Sequence, residues 1–253
     1  MKALILAAGY ATRLYPLTKD RPKPLLKIGD KTIVDYLLSG FVEMGAIDDV
    51  FIVTNEKFYP HFHEWAERTQ KSGRYPNYNL HIVNDRTSSN ETRLGAIADI
   101  QFVLDHHQIH DDLLIAAGDN IFQFDLPRFF KFFREKKSDI ILAHPIDNEE
   151  RLRSAGVVEV GDDGRVIGFE EKPANPRSRF IAPALYIFKR EHLHLFRDYL
   201  NMENPADAPG SFVAWLHKIV PVYAFVMPEH YYDIGTLEMY NEVCRQFEEY
   251  TKE

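Results

Sequence analysis

At 253 residues, with 45% hydrophobic and 13% aromatic content, the chain can bury a full core and is not a disordered segment. A net charge of −8 argues against nonspecific binding to nucleic acid or anionic membrane, and a single cysteine, Cys244, excludes an internal disulfide framework. The apolar stretch Ala3 to Gly9 is too short and wrongly flanked for a secretory leader, and no window approaches a membrane span, so a cytoplasmic protein is expected.

In chain order, Ala3–Ala8 reads as a buried strand. Lys31–Met44 puts Ile33, Leu37, Phe41 and Met44 on one helical face, with Gly45 as its stop. Val50–Thr54 is short and β-branched, hence a strand. A polar helix around Pro60–Thr69 and a strand at Leu80–Val83 follow. Helix signals return near Leu94–His106, then "LLIAAGD" (113–119) reads as strand plus turn. "LPRFFKFFREKK" (126–137) is a helix and "DIILAHPI" a strand. This β-α rhythm predicts an α/β fold with a mostly parallel, mixed sheet flanked by helices. Ligands of such sheets sit at the carboxyl ends of the strands.

The pattern changes after residue 150. "GVVEVGDDGRVIGFEEKP" (156–173) reads as a hairpin on an Asp-Gly turn, and "FIAPALYIFK" (180–189) as a further strand. Two helical stretches follow. "VYAFVMP" is a last strand and "YYDIGT" a turn, and a closing helix begins at Thr236, its N-cap. No repeat or linker interrupts 1–253, so one domain with a small antiparallel appendage is expected.

The first strand has an unusual sequel. Residues 1 to 31 hold seven Lys or Arg against two Asp, a local +5 that suits a small polyanion. Gly9 lies at the strand's end, where the missing Cβ lets backbone N–H groups approach a phosphate. Arg13 can fork two phosphate oxygens. Lys23 is braced by Pro22 and Pro24, which fix φ on either side. On their own these residues also suit a solvated surface loop. Neither a Walker A loop nor a G-x-G-x-x-G fingerprint is present.

"LILAAGYATRLYPLTKDRPKPLL" (4–26) resembles the signature of the sugar-1-phosphate nucleotidylyltransferases, L-A-G-G-x-G-T-R-L-x-P-L-T-x-x-x-P-K-P-L-L. The resemblance implies a single Rossmann-like, GT-A-like domain whose turn, here Leu6, Ala7, Ala8, Gly9, Ala11, Thr12 and Arg13, holds a triphosphate. Lys23 would contact the α-phosphate. Ala8 and Ala11 stand where the family has glycine. "AAGDN" (116–120) resembles the family's G-D, which makes Asp119 a Mg²⁺ ligand, and "YYDIGT" (231–236) resembles W-x-D-x-G-T, which makes Asp233 the second. "GFEEKP" (168–173) resembles the element whose Glu171 and Lys172 hold the sugar hydroxyls and the sugar-linked phosphate. Gly156 matches the glycine opening the sugar-side hairpin, and Tyr186 the tyrosine flanking the sugar pocket. Residues 84–97 depart from the family pattern: "TRLGAI" lacks its glycine-threonine pair, so no base preference carries over. Arg93 there either meets an acidic group or is a helix N-terminal cation.

The resemblance implies that a sugar-1-phosphate oxygen attacks the α-phosphorus of a nucleoside triphosphate, giving an NDP-sugar and pyrophosphate. Arg13, Lys23 and Asp119 would be the catalytic residues and Mg²⁺ the cofactor. Three rivals share the fold: a cytidylyltransferase acting on another phosphomonoester or a phosphonate, a glycosyltransferase, and a non-catalytic regulatory subunit. No D-x-D triplet supports the second, and Lys23, Asp119, Lys172 and Asp233 together count against the third. The expected form lacks the C-terminal β-helix of longer relatives. Homo-oligomers are usual for such forms, though no sequence feature establishes one.

Overall fold

A computed structural model describes residues 1–75 and 78–250. The elements are, in order, β1 (Lys2–Leu6), β2 (Lys27–Ile28), β3 (Lys31–Thr32), α1 (Ile33–Met44), β4 (Asp49–Thr54), α2 (Tyr59–Lys71) and β5 (Asn79–Asn84). Then come α3 (Ala96–His107), β6 (Leu113–Ala117), β7 (Asn120–Phe122), α4 (Leu126–Lys136), β8 (Asp139–Pro145), α5 (Glu149–Ser154), β9 (Gly156–Val160) and β10 (Val166–Glu171). The last are β11 (Phe180–Ile181), β12 (Leu185–Phe188), α6 (Leu195–Asn201), α7 (Pro209–Leu216), β13 (Val222–Val226), β14 (Tyr231–Asp233) and α8 (Leu237–Tyr250). No helix among the described residues is long and apolar enough to cross a membrane.

The chain forms two compact units, each assembled from separate stretches. One comprises Met1–Leu4, Leu94–Ala116 and Pro127–Glu229; the other comprises Ile5–Arg93, Ala117–Leu126 and the chain from His230 onward. In the first unit the strand order is β10-β9-β11-β8-β12-β6, with β13 parallel alongside β8. β12 runs antiparallel to both β6 and β8, which gives the sheet its mixed character. β9 and β10 form the expected antiparallel hairpin. In the second unit β4 and β5 pair in parallel, and two short antiparallel ladders, β2-β3 and β7-β14, stand apart. A mixed sheet flanked by helices, with small antiparallel parts, is the fold class expected of the sequence.

Local chemistry explains the element ends. α1 buries Ile33, Leu37, Phe41 and Met44, and it stops at Gly45, which turns into the left-handed region at φ 62°. At its start the Thr32 N–H and hydroxyl both donate to Asp35 Oδ2, at 3.0 and 2.7 Å, closing the first turn.

Three features differ from expectation. The 180–189 run breaks into β11 and β12, because Pro183 in its middle has no N–H for a ladder. Residues 231–233, expected as a turn, are a strand against β7. A short helix, α5, precedes the hairpin, capped by the Asn148 side chain accepting from the Arg151 N–H at 3.0 Å.

A core cluster in the second unit positions the site described next. Leu14, Leu26, Ile28, Ile33, Ile121, Tyr232, Ile234 and Val243 are all buried together, with Tyr36, Tyr240, Cys244 and Phe247 packed against them. Leu14 and Leu26 anchor the basic segment, while Ile121 in β7 and Ile234 just after β14 anchor the turn that carries Asp119 and the strand that carries Asp233. Each such side chain is worth roughly 1.5–3 kcal/mol on burial.

Candidate active site

The turn after β1 is built by backbone contacts to the end of β4. Ala7 N–H donates to Val53 O at 2.9 Å, and the fully buried Asn55 donates from Nδ2 to Ala8 O at 2.8 Å. Asn55 Oδ1 in turn accepts from Phe58 N–H at 3.0 Å, so the start of α2 fixes the side chain that fixes the turn. Tyr10 OH reaches Thr87 O at 3.2 Å. Gly9 is exposed, and a Cβ there would meet nothing within 4 Å. Packing within the chain does not require glycine at that point.

Ala11 stands where the signature has glycine, and it keeps the glycine conformation, with φ 47° and ψ 42°. Thr18 Oγ1 donates to its carbonyl at 2.8 Å and holds it there. An L-residue in the left-handed region costs roughly 1–2 kcal/mol. Part of that is offset by the smaller unfolded-state entropy of alanine. Ala11→Gly is therefore expected to stabilise the protein by about 0.5–1 kcal/mol, read as a higher midpoint in urea unfolding. An unchanged or lower midpoint would show that the turn carries no strain.

Lys23 opens a 3-10 turn over Lys23–Leu25, with Pro22 before it in extended conformation. Its side chain is 12% exposed, and Nζ donates to Asp119 Oδ2 at 2.5 Å and to Ile234 O at 2.7 Å. Asp119 reaches this point because Gly118 packs tightly: its N–H donates to Leu6 O at 2.9 Å. A Cβ on Gly118 would lie 3.0 Å from Leu6 O and 3.1 Å from Pro24 Cγ. The ladder between β7 and β14 sets Asp233 opposite Asn120, the neighbour of Asp119, and Ile234 N–H donates to Asp119 O at 3.2 Å. Arg13 completes the group, its guanidinium nitrogens 3.9 and 4.0 Å from where a Gly235 Cβ would stand. Arg13, Lys23, Asp119 and Asp233, which come from three distant stretches of sequence, thus gather in one unit.

The donor set suits a hard divalent cation. Asp119 Oδ1 takes no hydrogen bond from a described residue, Asp233 brings a second carboxylate, and Asn120 Oδ1 is buried without a hydrogen-bond partner. Among the described residues no group of three or more His, Cys, Asp and Glu forms a ready cage. Mg²⁺ takes one or two carboxylates and leaves its other positions to water and substrate phosphates, so Asp119 and Asp233 are the residues that would hold it.

The residues assigned to the sugar side lie in the other unit. Gly156 in β9 is the register partner of Glu171 in β10. Lys172 follows in the left-handed region at φ 49°, its N–H donating to Ala155 O at 3.0 Å. Burial pushes the Glu171 carboxyl above its ordinary value, with Lys172 acting in the opposite sense. Tyr186 is 2% exposed, inside the sheet and paired in register with Ile115 and Ile141. Arg93 lies outside α3 on an exposed turn, where Nη1 donates to Asn90 Oδ1 at 3.1 Å.

Sequence reasoning missed Asn55 and Gly118. The second had a visible signal in the G-D pair. The first had none, since an asparagine after a β-branched run reads as an ordinary strand end.

The family model described as nucleotidyl transferase matches residues 2–250. Glucose-1-phosphate adenylyltransferase of Thermomicrobium roseum is 29% identical over 94% of this chain and 58% of its own length. UTP–glucose-1-phosphate uridylyltransferase of Synechocystis sp. is 28% identical over 97% of the chain and 63% of its own. The chain thus spans about three fifths of the length of these relatives. Among solved structures, UDP-glucose pyrophosphorylase complexed with UDP-glucose superposes with a TM-score of 0.83 at 20% identity, over 100% of this chain and 99% of that one. A putative glucose-1-phosphate thymidylyltransferase from Bacillus anthracis superposes with a TM-score of 0.80 at 22% identity, over 98% and 95%. These two likenesses are of fold. The match over residues 2–250, nearly the whole chain, establishes that the chain belongs to the nucleotidyl transferase family.

Proposed function

We propose that the protein transfers a nucleotidyl group from a nucleoside triphosphate to a sugar 1-phosphate, releasing pyrophosphate. The observation that supports this reading best is the lysine node. Lys23 Nζ bonds both the G-D carboxylate and the backbone beside the D-x-G-T aspartate. Three motifs distant in sequence therefore converge on one ammonium group.

The attacking sugar-phosphate oxygen is already an anion, so no general base is needed. Catalysis then consists of positioning and charge neutralisation. The backbone of the Leu6–Arg13 turn receives the triphosphate, held in advance by Asn55 and β4. Arg13 forks phosphate oxygens on the leaving side, and Lys23 places its charge at the α-phosphate. Lys172 neutralises the sugar-linked phosphate, and Glu171 accepts from sugar hydroxyls. Asp119 and Asp233 are the residues that would hold Mg²⁺, which when bound supplies charge neutralisation to the phosphates.

A pyrophosphate-release screen tests the reading. Five nucleoside triphosphates are paired with a panel of sugar 1-phosphates and with phosphocholine, in the presence of Mg²⁺. Release that needs both a triphosphate and a sugar 1-phosphate is the expected result. Release with CTP and phosphocholine alone would move the assignment to a cytidylyltransferase of phosphorylated alcohols. No release with any pair would favour a non-catalytic role.

A further inference from the structure

Gly210 stands at the second position of α7, and its φ is not positive. Backbone conformation therefore does not call for glycine there, and glycine is a poor residue for a helix. What excludes a side chain is space. A Cβ on Gly210 would fall 2.1 Å from Glu171 Oε2, and 3.0 and 3.1 Å from two ring atoms of Phe169. A Cβ on Gly156, across the same slot, would fall 3.1 Å from Glu171 Oε2 and 2.7 Å from Phe169 Cζ. Two glycines from different elements thus enclose one carboxylate and one ring.

The position of Gly210 is fixed from upstream. Ala206 O and Asp207 O accept from the Ile97 and Ala96 N–H groups at the start of α3, at 2.8 and 3.3 Å. Gly95, at φ 92°, brings α3 so close that a Cβ there would sit 2.7 Å from Ala206 O. The segment leading into α7 cannot withdraw to make room.

The Glu171 carboxylate is also unusual in its partners. No hydrogen bond joins it to any described residue, and Lys172 is the charge beside it. α7 has no side-chain cap and no acidic residue in its first turn, and the Glu171 carboxylate lies against that helix start. A partly buried acceptor with no hydrogen-bond donor among the described residues can receive hydroxyl donors from a ligand.

We propose that Gly210 is a positioning residue for the sugar side: its missing side chain leaves the slot in which Glu171 stands ready for a polyol. The proposal rests on the sugar-side assignment of Glu171 given above. It also makes a distinctive demand. The atom that an added methyl would strike first is the far end of a flexible side chain, so Gly210→Ala displaces Glu171 and does not break the fold.

The test is a cycle of Gly210→Ala, Glu171→Ala and the double variant. It is assayed with whichever of glucose, mannose or galactose 1-phosphate gives the highest kcat/KM. Gly210→Ala is expected to raise KM for the sugar 1-phosphate about tenfold. The KM for the triphosphate and the thermal midpoint should stay close to wild type. In the Glu171→Ala background the same change should be silent, since its target is gone. A Gly210→Ala effect that persists without Glu171, or that falls equally on both substrates, overturns the proposal. A Glu171→Ala variant with wild-type KM for the sugar 1-phosphate instead overturns the sugar-side assignment, and the proposal with it.

Discussion

Lys23→Ala is expected to lower kcat by roughly 10²-fold or more and to leave the protein folded. The size follows from losing one preorganised charge aimed at a centre where negative charge develops. The geometry supports preorganisation. Two prolines brace the backbone, and Nζ is held by Asp119 Oδ2 and Ile234 O. The structural cost is small by comparison. Asp119 is 30% exposed, so water can replace the lost donor, and about 1 kcal/mol is the scale for such a contact. Measuring kcat beside the unfolding midpoint separates the two effects. A variant with full turnover would remove Lys23 from the mechanism, and an unfolded variant would make it a structural residue.

Asp119→Asn and Asp233→Asn are each expected to remove most activity, on the order of 10²–10³-fold in kcat/KM, and the double variant should be little worse than the poorer single. Residues that act as one unit are strongly non-additive. The ladder between β7 and β14 gives the two carboxylates a common platform: Asp233 faces Asn120, and Ile234 N–H bonds Asp119 O. Asparagine preserves shape while removing charge, so the comparison reads the charge alone. The measurement is kcat/KM for the wild type, both singles and the double at saturating Mg²⁺. Losses that multiply would assign the two carboxylates separate jobs, and a near-active single would end the shared-ion reading.

The sequence points to those two aspartates through the family resemblance, and to the basic loop because its charges follow a clear local pattern. Gly9, Arg13 and Lys23 follow an unmistakable buried strand, and Gly45 marks a helix end in the left-handed region. Other features were hidden for physical reasons. Tyr231–Asp233 is too short to show a strand period, and it becomes one only because β7 offers a partner. Asn55 carries the turn through a hydrogen bond to a residue 47 positions away, which no local window reports. The split at Pro183 could be read from the missing N–H, yet the apolar residues on both sides mask it. Gly210 is silent in sequence because its value lies in a neighbour's side chain.

The core cluster beneath the lysine node has a consequence for how the protein is made. Leu14, Leu26, Ile28 and Ile33 leave the ribosome about 200 residues ahead of Tyr232, Ile234 and Val243. Lys23 meets the Ile234 carbonyl across 211 positions. Until residues 232–243 emerge, the early half of that cluster lacks its late partners, and unburied apolar surface invites aggregation and proteolysis. Closure is long-range and comes late, so it is slow relative to local folding. Synthesis that halts before residue 230 therefore yields a chain without its late aspartate and with an open apolar floor, and cellular quality control would meet it as a degradation substrate rather than as a weakened copy.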